Sequence, residues 1–462
     1  MSSPPTGLKW RSSYWFATAV VGLGVATDLL VYSMIIPVMP FQLERLGYRS
    51  VSALTGWLLF CYSGGLVLCT IPIAIFSERY DTRRSPLIAG LVILIGSQIM
   101  MMEAPNFAVM CVARVLQGVG STMVWVVGLA LLCESSPEKF IGRQLGLAMS
   151  GMAIGFLAGP PIGGALYGRF GFRGPFIFGI IICIIDLIGR LFIIERKEAL
   201  PWGHDPAAVP SPASDSERDE EKSADAAVVP NEAAPPTQPT EPVPVVKLSL
   251  PGVMVRLLRS SRANAVMIIT LLYGIVYSAQ EPTLPLHLHD VWGLNSAKVG
   301  LVYLAGVVPT LFSAPIAGWY SDHQGVEWLA TICIVLAVPW WVLMILEKSL
   351  GLFITSYGLG SFFVSGLISP LMAELAAVSR GIEGVGYGHV YGAFNLVYGI
   401  GTTLGPVIGG QLYAHLHRTQ GWTVISLLAV GLLLVSLVLT FLYMGERPMA
   451  RKLARRFGTR SP

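Results

Sequence analysis

Charge is what this 462-residue sequence has least of. Asp, Glu, Lys and Arg together make up 13% of it, against roughly 25% in an average globular chain. A soluble fold of this length could not cover its surface with so few charges. The two or three soluble domains that length alone would suggest are therefore excluded. Cysteine is scarce too: the six residues lie in or at the ends of apolar segments, without metal-ligand spacing, so neither disulfides nor a metal site is expected. There is no Asn-x-Ser/Thr sequon, no phosphate-binding Gly-x-x-x-x-Gly-Lys-Ser/Thr, no Gly-x-Ser-x-Gly and no His-Glu-x-x-His. An enzyme is not expected, nor a cofactor or a nucleic-acid partner.

What fills the sequence is apolar: 53% of it, with fifty glycines and a mean hydropathy of +0.64. Runs near 20 residues, enough to cross about 30 Å of hydrocarbon, recur twelve times. They fall near 14–36, 53–76, 86–103, 107–132, 144–167, 174–195, 263–283, 297–319, 328–346, 351–376, 386–413 and 421–444. In lipid every backbone amide must find its partner within its own segment or a closed structure. A barrel would need short alternating strands, so the runs predict an all-α membrane protein of twelve helices, expected as a monomer in the bilayer.

Basic residues orient it. Leaving aside the segment that joins the two halves, the side of the termini carries fourteen Lys and Arg, including Arg79, Arg83 and Arg84, and the opposite side seven. Both termini are expected in the cytoplasm. The first apolar run is too long for a cleavable signal peptide. The plasma membrane is the expected location, with a vacuolar or vesicular membrane as the alternative.

Residues 198–246 break the pattern, with ten prolines, nine alanines, ten acids and two bases. Such a segment cannot bury enough apolar area to offset its ordering entropy, so it reads as a disordered cytoplasmic tether. It separates residues 1–197 from 247–462, six spans each. The halves repeat one another. VYSMIIPVMPFQL at 31–43 matches VYSAQEPTLPLHL at 276–288, and GFLAGPPIGG at 155–164 matches GTTLGPVIGG at 401–410. The offsets are 245 and 246, and a third match at nearly the same offset pairs 74–78 with 318–322. Duplication into two pseudo-symmetric six-helix bundles is an architecture of secondary transporters.

Over nearly its whole length outside the tether the chain resembles the major facilitator superfamily. The resemblance is carried by Arg114-x-x-Gln117-Gly118-x-Gly120 in the fourth span and by the Gly-x-x-x-Gly-Pro-x-x-Gly-Gly copies in the fifth and eleventh. The fifth-span copy implies the drug–proton antiporter branch. TDLLVYSMIIPVMP and EPTLPLHL are similar to segments of vesicular amine transporters and fungal multidrug exporters. The loop signature after the second span departs from the family pattern. Ala74 and Glu78 stand for its Gly and Asp, while Arg79, Arg83 and Arg84 remain; the second copy keeps Gly318 and Asp322 without the arginine pair.

Gly155, Gly159 and Gly163 share one helix face, as do Gly401, Gly405 and Gly409, so helix backbones approach closely there. Pro160 and Pro406 bend those helices, and the bends, with Gly164 and Gly410, are expected to seal the interface between the halves. Intramembrane charges need a reason. Asp28 and Arg114 fall at similar depth, so they form either a static pair or a proton-coupling site. Asp186 and Arg190, four apart, are expected to pair with each other. Glu281 aligns with Ile36, so duplication does not explain its charge. The resemblance implies a role in binding a cationic substrate, whereas its position allows an interfacial carboxylate near the outer mouth. Asn395 and Ser365 stand where amine transporters carry aspartates, which points to fewer protons per cycle or a less cationic cargo. Tyr32, Trp125, Tyr277, Phe394 and Tyr398 are candidates to line a central cavity. The expected function is a secondary transporter exchanging protons for a small organic molecule. A symporter, a uniporter or a non-transporting receptor on the same fold are the alternatives.

Overall fold

The structure, a computed structural model, describes residues 5–80, 82–137, 140–208, 259–380, 387–416, 418–445, 448–450 and 452. In chain order its long helices are α1 (Tyr14–Arg45), α2 (Val51–Tyr80), α3 (Arg84–Met102), α4 (Phe107–Ser135), α5 (Ile141–Phe170) and α6 (Arg173–Phe192). After the joining segment come α7 (Ser261–Trp292), α8 (Ser296–Gln324), α9 (Val326–Leu343), α10 (Leu350–Val378), α11 (Tyr387–His415) and α12 (Arg418–Tyr443). Eleven are long and apolar enough to cross a membrane by length and composition. The one outside that set is α11, a 29-residue helix over the expected eleventh run at 386–413. Its seven glycines, with Asn395, Thr402 and Thr403, make it the less apolar helix.

Side-chain polarity sorts the helix faces. In α6 the buried residues Gly179, Cys183, Asp186 and Arg190 recur at helical spacing, while Ile177, Ile181, Ile184 and Ile188 lie outside. Water would reward the reverse arrangement; hydrocarbon rewards this one. The expected Asp186–Arg190 pair forms at 3.1 Å, fully buried. Helix starts are capped where the sequence supplies an acceptor: Asn106 accepts from the Val109 amide, Asn295 from Lys298 and Ser349 from Leu352.

Two helices break at equivalent points. Regular helix in α1 ends at Ile35 and resumes at Met39, around Pro37; in α7 it ends at Ala279 and resumes at Leu284, around Pro282. Proline has no amide hydrogen to continue the ladder. The glycine faces then pack pseudo-symmetrically. A Cβ on Gly155 would lie 2.7 Å from the Ala26 carbonyl, and one on Gly159 would strike Ser33. In the second half Gly405 and Gly409 meet Ser278 and Ala279. These stripes therefore join α5 to α1 and α11 to α7 within each half, which corrects their expected place at the seal between halves. That seal is made by the neighbouring residues. Gly164 abuts Ser296 and Ala297 of α8, and Gly410 abuts Ser52 and Ala53 of α2. The Pro160 carbonyl rests on Gly300 and the Pro406 carbonyl on Gly56. Ser52 Oγ donates to the Gly410 carbonyl (3.0 Å) and Ser296 Oγ to that of Pro37 (2.8 Å). All of this lies at the membrane end remote from the termini.

At the terminal end each half is laced internally. Arg83 binds Glu134 (2.7 Å) and Ser77, and Glu195 accepts from the Arg83 and Arg84 amides. Glu374 accepts from Arg262 (2.8 Å) and the Gly445 amide, while Lys452 binds Glu327. Of the expected tether, residues 198–208 carry defined structure. A short helix (Arg196–Ala199) precedes a turn in which Arg196 holds Asp205 by two 2.8 Å hydrogen bonds. Those bonds hold the Asp205 carboxyl below its usual range. The tether is thus shorter at its start than composition suggests, and 209–246 lie outside the described residues.

Candidate functional site

Asp28 and Glu281 are the buried carboxyls nearest the breaks in α1 and α7, at 0% and 6% exposure. Asp28 sits inside the first half. Its Oδ2 accepts from Ser121 Oγ (2.6 Å), Trp125 Nε1 (2.9 Å) and Tyr62 OH (3.5 Å). Trp125 reaches it because α4 contains a π-turn, Met123–Val127, which shifts the face presented after Ser121. Arg114 does not take Asp28 as a hydrogen-bond partner. Its guanidinium donates to Gln117 Oε1 (2.6 Å) and the Leu58 carbonyl, and lies over the rings of Tyr62 (5.1 Å) and Tyr32 (5.5 Å). The alternative of a directly bonded Asp28–Arg114 pair is thus not what forms. Arg114 donates instead to Gln117 on its own helix and to Leu58 on α2, and lies over two aromatic faces.

Glu281 is buried, not an exposed interfacial carboxylate. It accepts from Tyr32 OH across the interface at 2.8 Å, and its carbonyl accepts from Tyr303 OH. The Tyr32 and Tyr62 rings pack 4.6 Å apart. A continuous path therefore runs from Asp28 through Tyr62 and Tyr32 to Glu281, linking one carboxyl in each half, with Arg114 above the aromatic pair. Burying ionised groups is costly unless they are paired and hydrogen-bonded, and each carboxyl here accepts from neutral donors.

Beside Glu281 is a cavity of about 20 Å³ between Ser33, Phe156 and Pro160 of the first half and Tyr277, Tyr303 and Tyr357 of the second. It has room for about one water molecule. Gly306 lets the Tyr357 ring in, since a Cβ there would lie 2.5 Å from it. Of the expected lining residues, Tyr277 faces this cavity. Tyr398 stacks on Tyr273 and Phe394 farther along the second half, with Phe394 buried. Asn395 is exposed, one turn nearer the terminal end than Gly399, whose added Cβ would lie 3.0 Å from Val67. The halves touch at Gly399.

The loop signature is partly described. Arg83 and Arg84 are engaged as above, Arg79 is exposed, and Gly318 lies near Ser369. The side chains of Glu78 and Asp322 lie outside the described set. Tyr62, Ser121, Gln117 and Tyr303 did not stand out in the sequence as site residues. Arg114, Gln117, Ser121 and Trp125 do recur at helical spacing, a polar stripe in an apolar run that marks the α4 contribution. Tyr62 and Tyr303 carry no such local signal.

The Major Facilitator Superfamily profile matches residues 15–262 and 266–460. The chain is 24% identical to the MFS-type transporter ppzB of Metarhizium rileyi, over 96% of this chain and 97% of that protein. It is 24% identical to the human synaptic vesicular amine transporter, over 77% of this chain and 60% of that protein. Among solved structures, a bacterial homologue of the human lysosomal transporter Spinster, inward-facing and unoccupied, superposes with a TM-score of 0.68 at 13% identity. It covers 95% of this chain and 97% of its own. With two repeated six-helix halves and a profile matching both, the chain belongs to the major facilitator superfamily.

Proposed function

We propose that this transporter exchanges protons for a small organic molecule by alternating access, moving its cargo out of the cytoplasm. The observation that carries this reading is the Glu281–Tyr32 hydrogen bond. It places a buried carboxyl of one half on a hydroxyl of the other, so any motion parting the halves at that level changes the surroundings of Glu281. A group whose environment differs between two conformations binds protons differently in them, and that difference couples proton and cargo. Asp28 is the second proton carrier, connected to Glu281 through Tyr62 and Tyr32. The similarity to a vesicular amine transporter supports an organic cargo.

Residues 1–208 and 247–462 hold the moving bodies, the tether lies within 209–246, and the basic bias supports cytoplasmic termini. The plasma membrane is the proposed residence, and the similarity to vesicular transporters supports a vesicular one. The cavity beside Glu281 is too small for an organic molecule, so cargo enters when the halves rock and widen it.

The test is uptake into liposomes holding the purified full chain under an imposed pH gradient, screened across organic cations, neutral hydrophobes and organic acids. At least one class accumulates with wild type, and Asp28→Asn reduces accumulation to the level of protein-free liposomes. Undiminished accumulation by Asp28→Asn contradicts the assignment.

A further inference from the structure

The first half buries one more charged pair than the proton path uses. Asp186 and Arg190 on α6 are at 0% and 1% exposure, away from the interface between halves. Arg190 holds Asp186 through Nε and Nη2 at 3.1–3.2 Å. Its Nη1 has no hydrogen-bond partner among the described residues, and neither has Oδ1 of Asp28. Both atoms are buried and opposite in charge, and no ion pair joins the two residues in this arrangement. A Cβ on Gly24 would strike Arg190 Nη2 and come within 3.2 Å of Asp186 Oδ2. The guanidinium thus rests on the α1 backbone at Gly24, and Asp28 is one turn farther along the same face, about 6 Å by helical rise.

The charges around Asp28 can be enumerated. From α2 it is faced by Tyr62, from α4 by Ser121 and Trp125, and from α6 by Cys183, Asp186 and Arg190. The stretches of α3 and α5 inside the membrane, 85–102 and 144–166, hold no charged residue and no tyrosine, histidine or cysteine. Arg114 donates to Gln117 and the Leu58 carbonyl and lies over two tyrosine rings; its Nη2 also lacks a hydrogen-bond partner among the described residues, but it bonds neither Asp28 nor Asp186. Two carboxyls therefore compete for one guanidinium in a place that tolerates no unpaired charge.

We infer that Arg190 is shared between Asp186 and Asp28, and that Asp186 is a positioning residue whose hold on Arg190 keeps Asp28 free to accept a proton. When the proton leaves Asp28 for water admitted between the halves, the Asp28 carboxylate swings its vacant Oδ1 toward Nη1 while Nη2 and Nε stay on Asp186. One guanidinium then bridges both carboxylates. When the proton returns, the bridge opens to the arrangement seen here. Gly24 is small because the guanidinium passes over it. This deepens the proposed proton role of Asp28 and rests on it, but concerns binding of the proton rather than movement of cargo.

The proton itself is the probe. The purified full chain in lipid nanodiscs is titrated by infrared difference spectroscopy, and the protonated carboxyl band lost in Asp28→Asn is followed against pH. In Asp186→Asn, Arg190 has Asp28 as its one remaining carboxylate. The band then disappears at a pH lower by about one unit, a tenfold weaker hold on the proton. In Arg190→Gln the band persists to higher pH by a similar interval, and Arg190→Lys restores it toward the wild-type midpoint. Opposite shifts from two neighbours of one ion pair do not arise from loosened packing. Should one variant fail to fold, the other decides alone. An unchanged midpoint in a folded variant, or shifts of the same sign in both, overturns the inference. Because no cargo is involved, absence of proton-driven uptake would count against the proposed function and leave this result standing.

Discussion

Gly159 and Gly96 both stand in apolar helices, yet their surroundings differ completely. A Cβ on Gly159 would strike Ser33 and lie 2.9 Å from the Leu30 carbonyl, whereas nothing lies within 4 Å of one on Gly96. Close approach of two backbones leaves no space to give, so Gly159→Val should lower stability by about 1–3 kcal/mol. Gly96→Ala, in a helix interior, should gain up to about 1 kcal/mol from helix propensity. Thermal unfolding of the two variants in detergent, compared with wild type, checks both; equal midpoints would show that the helices can simply slide apart. At this same scale the sequence was informative about which residues matter and poor about whom they meet. The scarcity of intramembrane charge pointed to Asp28, Arg114 and Glu281. It did not reveal that Arg114 would lie over two tyrosine rings, because the reach of a long side chain depends on the rotation of three helices at once.

Among elements, α1 and α7 show why duplication was readable. Pro37 and Pro282 mark the same interruption at an offset of 245, whereas Pro160 and Pro406 lie inside continuous helices. The glycine stripes were legible as close contacts but not as contacts between particular helices. Small-residue spacing says that something approaches, while the partner is set by how the bundle closes, and here that partner is α1 or α7. The π-turn in α4 was not legible, since MVWVV carries no glycine or proline to announce a register change. It is nonetheless the feature that brings Trp125 to Asp28.

For the whole molecule, the two halves meet tightly at the end remote from the termini. Closure there depends on four glycines: Gly56, Gly164, Gly300 and Gly410. Alternation requires that this contact be breakable, so enlarging one glycine should shift the population toward separation at that end. Ser52 is buried under Gly410 at 3% exposure. In a Ser52→Cys variant, adding Gly410→Val should raise the rate of modification by a water-soluble maleimide roughly tenfold, equivalent to about 1.4 kcal/mol of population shift. An unchanged rate would mean that this end stays closed whatever its packing. Twelve helices in two halves could be counted in the sequence because span length and basic bias are properties of the chain alone. Which end is closed could not, because that is a property of two bodies in contact.

The proposed exchange rests above all on Glu281, the carboxyl held across the interface by Tyr32. Its most direct test is proton movement driven by cargo. Liposomes containing the purified protein and a trapped pH indicator are given, without any imposed gradient, a compound found to accumulate in the uptake screen. Wild type should move protons against the direction of that compound, and Glu281→Gln should move none while still binding the compound. Proton movement by Glu281→Gln equal to that of wild type would contradict the account.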